Sequence, residues 1–293
     1  MRTVLKYARY CLIEARPAVQ LAFGLRYLAG AVLGLTDKGV DPLRVSSGLA
    51  GWLCATIAVY VFNGVTDRQE DTGNGSTRPI ASGLLPVGAA LGWTSVFTAL
   101  GVLSAFLLGN LTGLLASLFL FIGYAYSGRP FRFKQRWYTA SVAGALLGFV
   151  TYLAGCASVG GRLNEGLIVF AAVASLWMAC VGAIAKDLSD VKGDMAAGRR
   201  SLPAVLGVAR ACRVMATMAL ALGTLFGLAT VSWQPELRNV APVLLLGAST
   251  VAVLSLKTPH SSDRSVRRSP YRAFMLTQQA ANLLLIVSIW PHP

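Results

Sequence analysis

The sequence predicts an all-α, polytopic membrane protein, and its composition is the first observation that supports this class. Hydrophobic residues make up 55% of the 293 residues, charged residues make up only 13%, and the mean hydropathy is +0.60. Apolar stretches long enough to cross a bilayer recur along the whole chain and leave no room for a sizeable soluble domain. We therefore expect a single transmembrane domain over residues 1–293.

Nine of these apolar stretches are predicted to form transmembrane helices. They cover residues 19–36, 47–64, 87–107, 111–127, 139–160, 167–185, 212–232, 240–256 and 273–290. Residues 3–15 precede the first stretch, mix basic with apolar side chains, and contain no cleavage site made of small residues. We expect this N-terminal segment, residues 1–18, to form a short helix on the membrane surface instead of a cleaved signal peptide.

The basic residues are distributed unequally between the two sides of this topology. The net charge is +14, from 26 Lys and Arg against 12 Asp and Glu. Most basic residues precede the first span or follow an even-numbered span, and the opposite side holds only Lys38, Arg44, Arg162 and Arg238. Because cytoplasmic loops are enriched in Lys and Arg, the pattern predicts a multi-pass protein of the cell membrane with a cytoplasmic N-terminus. The positive charge thus indicates orientation in the lipid bilayer, not binding to nucleic acid.

Half of the 12 carboxylates lie in two short segments that follow the second and sixth predicted spans. Acids beside a bilayer core are costly unless they are hydrated, paired or bound to metal, so two such clusters predict a functional site. If the spans continue as helices, the oxygen donors of each segment share one helical face. Such donors suit Mg²⁺, which bridges protein acids to substrate phosphates. These donors are Asn63, Asp67, Asp71, Asp187, Asp190 and Asp194.

The two segments also form a weak internal repeat. The pattern Asp-x₃-Asp-x₃-Gly occurs at residues 67–75 and again at residues 190–198, and Arg and Pro follow each copy within a few residues. Two similar halves of this kind are expected to face each other across one central cavity, where two Mg²⁺ ions would hold one diphosphate.

The sequences NGVTDRQEDTGNGSTRPIASG and KDLSDVKGDMAAGRRSLP resemble the NxxxDxxxD and DxxxD motifs of the UbiA superfamily of intramembrane prenyltransferases. The resemblance implies nine transmembrane helices surrounding a central cavity, with Asp-rich cap loops in the cytoplasm. It also implies a Mg²⁺-dependent enzyme that ionises an isoprenyl diphosphate and transfers the prenyl group to an aromatic or similar small-molecule acceptor. A terpene cyclase of the same superfamily, which forms a cyclic terpene without an acceptor, is the alternative.

The resemblance also implies roles for the acidic residues. Asp67, Asp71, Asp190 and Asp194 are the expected catalytic residues. Together with Asn63 they would bind Mg²⁺ and the diphosphate, and Asp187 would be an additional ligand. Glu70 lies off the helical face that Asn63, Asp67 and Asp71 would share, and it is expected to pair with a neighbouring Arg.

Five further residues are candidates for substrate binding. Arg78 and Lys134 match positions where the superfamily has basic residues, and Lys186 lies beside the second motif, where positive-inside topology explains it equally well. Tyr124 closes the fourth span, where an interfacial aromatic residue is the competing interpretation. Arg26 is charged and lies inside the first span, so it is expected to face the bundle interior. There it would bind the diphosphate or an anionic acceptor, or pair with a structural partner.

Overall fold

The computed structural model describes residues 2–35, 41–73, 75–261 and 263–289, so that Lys38 lies outside the described residues. In the described part of the chain the regular elements are all helices, which confirms the all-α class. The α-helices are α1 (Arg2–Glu14), α2 (Pro17–Leu33), α3 (Pro42–Thr66), α4 (Arg68–Gly73), α5 (Val87–Leu108), α6 (Asn110–Ser127), α7 (Trp137–Ser158), α8 (Glu165–Trp177), α9 (Ala183–Asp187), α10 (Val191–Ala196), α11 (Leu202–Leu206), α12 (Val208–Ser232), α13 (Ala241–Lys257) and α14 (Arg264–Ile289).

Within the described ranges, eight helical segments are long and apolar enough to cross a membrane. They correspond to the second to ninth predicted spans and are Pro42–Thr66, Val87–Leu108, Asn110–Ser127, Trp137–Ser158, Glu165–Asp187, Val208–Ser232, Ala241–His260 and Arg264–Ile289. The first predicted span, 19–36, is the shorter apolar helix α2, with 17 residues. A helix of this length extends about 25 Å, against a hydrocarbon core of about 30 Å. The count of nine therefore stays a prediction.

The helices form two compact units. One comprises Met1–Phe133 and Val150–Arg162, and the other comprises Lys134–Phe149 and Leu163–Pro293. Helix α7 contributes residues to both units. The assignment of residues 1–293 to one domain remains a prediction.

Close helix packing in the first unit depends on glycine. Helix α3 packs against α2, α5 and α6. A Cβ atom on Gly30 would lie 2.0 Å from the carbonyl oxygen of Tyr152, and one on Gly155 would lie 2.0 Å from that of Tyr27. Only glycine fits at these two contacts, and small residues are the usual means by which membrane helices bring their backbones together.

The N-terminal helix α1 covers most of residues 3–15 and is amphipathic. One face is buried, in a cluster that includes Cys11, Ala15, Ile57, Val61, Ile80, Leu85 and Ala90. The other face exposes Leu5 and Leu12 together with Lys6 and Arg9. Mixed apolar and basic side chains on one exposed face are typical of helices at a membrane surface, where this helix is predicted to lie.

In the second unit, α12, α13 and α14 pack side by side, and a π-helical stretch, Met178–Gly182, separates α8 from α9. The ring of Phe274 stacks on that of Trp177 with centroids 6.1 Å apart, and a Cβ atom on Gly182 would lie 2.3 Å from this phenylalanine. A π-helical turn inserts one residue and so changes the angular position of everything that follows on the helix. Helix α9 follows this turn and ends at Asp187, so the turn sets the direction of the Asp187 side chain.

Candidate active site in two acidic turns

The first acidic turn, residues 63–76, begins where α3 ends. The expected continuous helix is interrupted, because α3 stops at Thr66 and Asp67 adopts φ −94° and ψ 2° before α4 starts. Short polar side chains such as Asp and Asn offer local alternatives to helical bonding, which explains a break at this position. Two backbone hydrogen bonds nevertheless keep the four-residue spacing: Asp67 N–H donates to Asn63 O at 2.9 Å, and Asp71 N–H donates to Asp67 O at 2.8 Å.

Hydrogen bonds orient the first two side chains of this turn. The Asn63 amide nitrogen donates to Asp67 Oδ2 at 3.0 Å, and the Ser127 hydroxyl at the end of α6 donates to Asn63 Oδ1. Asp67 is only 8% exposed. The structure thus brings together two predicted residues, and it adds Ser127, which the sequence analysis did not single out.

Arg78 lies two residues after the first acidic turn and pairs with its last aspartate. Its Nη2 pairs with Asp71 Oδ2, and its Nη1 pairs with Glu14 Oε1 at 3.3 Å. The backbone N–H of Ile80 donates to Glu14 Oε2 at 3.0 Å. Burial raises the pKa of Glu14, while the Ile80 N–H and the Arg78 charge act in the opposite direction. Glu14 is therefore a second residue of this site that the sequence pattern did not indicate.

The second acidic turn, residues 187–199, is interrupted in the same way. Asp187 ends α9, and Asp190 lies just before α10. Asp190 N–H donates to Asp187 O at 3.2 Å, and Asp194 N–H donates to Asp190 O at 2.9 Å. The prediction of one uninterrupted helical face is wrong here as well, because a turn replaces the helix between Asp187 and α10.

The internal repeat is present in the backbone of both turns. Each short helix has six residues and is followed by a glycine with positive φ, 64° at Gly75 and 71° at Gly198. The N–H of the residue after this glycine donates to the carbonyl oxygen of the last aspartate of the turn, from Ser76 to Asp71 at 2.9 Å and from Arg199 to Asp194 at 2.8 Å. Only glycine adopts this conformation without strain, which explains the Asp-x₃-Gly spacing in both copies.

An arginine pairs with the second aspartate in each turn. Arg78 pairs with Asp71, and Arg199 Nη1 lies 3.4 Å from Asp194 Oδ1. As for Lys186, the sequence left a topological role and a role in binding the diphosphate equally open for Arg199, and its position after the repeated glycine distinguishes it from the other basic residues. Each copy of the repeat thus offers two aspartates together with a paired arginine, which is an arrangement suited to a charged phosphate and its metal.

The donors of the second turn fit a cation. Asp194 is 5% exposed, and its Oδ2 is buried without a hydrogen-bond partner. A buried carboxylate oxygen in that state is costly unless something positive binds it. The described residues contain no group of three or more His, Cys, Asp or Glu side chains arranged for a metal. Mg²⁺ does not require one, because it is typically held by one or two carboxylates, waters and substrate phosphates.

Lys134 is held near the second acidic turn by the backbone. Arg200 N–H donates to Gln135 O at 2.8 Å, and Trp137 N–H donates to Arg200 O at 3.0 Å. Lys134 itself is 3% exposed. Burial, followed by the positive charges of Arg199 and Lys186, lowers the pKa of Lys134 to about 7. Several buried or half-buried cations in one place are suited to an anionic ligand.

Two aspartates of the second turn form ion pairs with basic residues, one of which, Lys186, was predicted. Lys186 Nζ lies 3.8 Å from Asp187 Oδ1, and Arg264 Nη2 lies 3.1 Å from Asp190 Oδ1. The pair with Arg264 is largely exposed and contributes little to stability. It leaves Asp190 accessible to a ligand.

Tyr124 and Arg26 belong to the first unit. The Tyr124 hydroxyl donates to the carbonyl oxygen of Arg129, and its ring packs 5.5 Å from that of Phe62. Arg26 is 4% exposed, with its guanidinium 5.4 Å from the centroid of the Phe23 ring. Arg26 therefore faces the interior, as predicted for a charge inside a span, and substrate binding by either residue stays a prediction.

The apolar helices and the two acidic turns define a class, that of multi-pass integral membrane enzymes. The model of the UbiA prenyltransferase family matches residues 25–277, and the chain belongs to this family. The resemblance drawn from the two Asp motifs is therefore confirmed. The chain is a prenyltransferase, and the names of its relatives favour transfer over terpene cyclisation.

Relatives and solved structures agree with this membership. A digeranylgeranylglyceryl phosphate synthase from Natronomonas pharaonis is 31% identical over 67% of this chain and 68% of its own. The bacteriochlorophyll synthase 34 kDa chain of Chloroflexus aurantiacus is 26% identical over 83% of this chain and 77% of its own. A UbiA homolog from Archaeoglobus fulgidus, solved bound to GPP and Mg²⁺, has a TM-score of 0.73 at 21% identity and covers 95% of this chain and 99% of its own, which shows a common fold.

Proposed function

We propose that the protein transfers the prenyl group of an isoprenyl diphosphate to an aromatic or similar acceptor in a Mg²⁺-dependent reaction. The observation that supports this most directly is the repeated acidic turn, with the buried, unpartnered Oδ2 of Asp194 and the pairing of each second aspartate with an arginine. The metal ligands in this proposal are Asn63, Asp67, Asp71, Asp187, Asp190 and Asp194.

The diphosphate of the substrate is expected to bind at the basic side chains beside the acidic turns. Arg78 and Lys134 would contact its oxygens, and Lys186 would add to the positive potential. Bound Mg²⁺ supplies a Lewis acid that stabilises negative charge on the leaving diphosphate. Arg78 and Arg199 pair with Asp71 and Asp194 in this structure, and they would bind phosphate oxygens once those acids held Mg²⁺.

The bond changes follow from this charge distribution. The allylic C–O bond breaks and its electron pair leaves with the diphosphate. The allylic cation then forms a new bond with an electron-rich atom of the acceptor, and the acceptor loses a proton. Apolar side chains of the transmembrane helices exclude water that would otherwise quench the cation, and aromatic faces stabilise its charge.

The cell membrane with a cytoplasmic active site is the proposed location. In the topology predicted from the sequence, both acidic turns and α1 fall on the side that holds most of the basic residues, which supports this location. Labelling of a single cysteine introduced at Gly73 or at Arg162, in sealed vesicles of known orientation, tests this. Opposite accessibility is expected, with Gly73 reached from the cytoplasmic side.

Product analysis by mass spectrometry tests the reaction. Membranes containing the protein are incubated with Mg²⁺ and geranyl, farnesyl or geranylgeranyl diphosphate, with and without acceptors. The panel includes aromatic acids and, because of the names of several relatives, prenylated glyceryl phosphates. Prenylated products that require both substrates support the proposal. A cyclic terpene formed without acceptor, and lost on addition of EDTA, would overturn it in favour of a cyclase.

A further inference from the structure

The last residue of α1, Glu14, is a buried acid with specific partners. It is 1% exposed, follows Cys11 by three residues and precedes Ala15, and both of these residues belong to the apolar cluster. One carboxylate oxygen accepts from Ile80 N–H, and the other accepts from Arg78 Nη1. Burial of a carboxylate is expensive, so a buried acid at this place indicates that these two bonds have a function.

The packing around Glu14 leaves space for it. A Cβ atom on Gly64 of α3 would lie 2.4 Å from Glu14 Oε1. The absence of a side chain at residue 64 thus admits the carboxylate against the α3 backbone, one residue from Asn63 of the first acidic turn. The position of Glu14 is fixed from two sides, by α3 and by the loop after the turn.

Arg78 connects Glu14 to the first acidic turn. Its guanidinium lies between two carboxylates, with Nη1 towards Glu14 and Nη2 towards Asp71. The side chains of Arg78 and Asp71 are 20% and 17% exposed, whereas that of Glu14 is 1% exposed. Ligand can therefore reach Asp71 and the outer side of Arg78, while Glu14 stays behind them.

We propose that Glu14 is a positioning residue that anchors Arg78 for diphosphate binding. This inference rests on the proposed function. If Asp71 held Mg²⁺, Arg78 would lose that partner, and an arginine side chain without an anchor has many rotamers to occupy. Glu14 keeps Nη1 bound, so that Nη2 remains directed at the oxygens of the diphosphate. Glu14 contacts Arg78 and not the substrate, so it acts through the arginine.

The variant Glu14→Gln tests this with little change in shape. The amide keeps an oxygen that can accept from Ile80 N–H, and it removes the charge that pairs with Arg78. Loss of a residue that orients a ligand-binding group typically costs tenfold or more, so we expect KM for geranyl diphosphate to rise about tenfold. The kcat value is expected to stay within about twofold, because Arg78 still reaches the diphosphate once substrate is saturating.

A double-mutant cycle separates positioning from general support of the fold. In an Arg78→Gln background, Glu14→Gln is expected to raise KM no further, because the residue through which Glu14 acts is gone. An equal rise in both backgrounds, or a lower unfolding temperature with unchanged KM when Arg78 is intact, would overturn the proposal. Glu165→Gln is a control away from the acidic turns: this acid also accepts two hydrogen bonds, both from side chains, Trp233 and Gln234, at the opposite end of the span from Asp187.

Binding without turnover distinguishes failure of this inference from failure of the proposed function. The probe is geranyl diphosphate with Mg²⁺, and the readout is the rise in unfolding temperature of the purified full chain in detergent. Stabilisation of the wild type that needs about tenfold more geranyl diphosphate in Glu14→Gln supports the inference. Equal stabilisation of both proteins refutes it alone. Absence of both stabilisation and turnover in the wild type refutes the proposed function and the inference together.

Discussion

Replacing Lys134 with Arg tests whether this buried lysine binds the diphosphate as a cation. Its pKa is lowered to about 7 by burial and then by Arg199 and Lys186. The free enzyme therefore carries this charge below about pH 7 and loses it as the pH rises through 7. Arginine stays charged over the whole range, so the two proteins are expected to differ only where the lysine is neutral.

The size of the difference follows from a single titration. With a pKa of about 7, the charged fraction of Lys134 is about 0.9 at pH 6 and about 0.1 at pH 8. If only the charged form binds the diphosphate, kcat/KM of the wild type falls about tenfold over this interval, because kcat/KM reports the pKa values of the free enzyme. Lys134→Arg is expected to vary no more than about twofold from this cause.

The assay measures kcat/KM for geranyl diphosphate at saturating Mg²⁺ and acceptor between pH 6 and pH 8. The ratio of wild type to Lys134→Arg is the useful quantity, since ionisation of the substrate affects both proteins equally and cancels. Lys134→Met, which carries no charge at any pH, is expected to be low throughout and to show no break near pH 7. Parallel profiles of the wild type and Lys134→Arg would refute the role of Lys134 as a titrating phosphate ligand.

Four other outcomes are expected. Asp67→Ala abolishes turnover but leaves membrane insertion intact, because no neighbour replaces its oxygens; wild-type turnover in this variant would contradict the metal assignment. Glu70→Ala, off the ligand positions, costs much less activity, and equal severity would place it among the ligands. EDTA abolishes turnover and excess Mg²⁺ restores it; activity that survives chelation would exclude the metal. Gly30→Ala destabilises the protein in detergent unfolding by about 3 kcal/mol, because its Cβ would lie 2.0 Å from Tyr152 O, whereas Gly92→Ala, with no atom within 4 Å, serves as the control.

The membrane helices were predictable because length and apolarity alone select them. Eight of the nine predicted spans correspond to long apolar helices in the described residues. The first ends earlier than predicted, at Leu33, because hydropathy does not register that Gly34 ends the helix. Boundaries depend on local backbone conformation, and an apolar window averages over it.

The acidic residues were predictable and their local geometry was not. A spacing of four is the same for a continuous helix and for two helical pieces joined at Asp67 or Asp190, so periodicity could not reveal the breaks. Glu14 and Ser127 were missed for a different reason. Each is 64 residues away in the sequence from the residue that it contacts, Arg78 and Asn63 respectively, and no local pattern records such a contact.

In each acidic turn, backbone hydrogen bonds join residues of the same turn to one another. In the first, the carbonyls of Asn63, Asp67 and Asp71 are all bonded to N–H groups between residues 67 and 76. The backbone shape of this segment therefore does not rest on backbone bonds to other transmembrane helices, although the Ser127 hydroxyl of α6 orients Asn63. Mutations that reshape the apolar interior, and with it the preference for a longer isoprenoid or another acceptor, can accumulate without altering how the phosphate end is held. Substrate range can diversify during evolution while the chemistry at the diphosphate is kept.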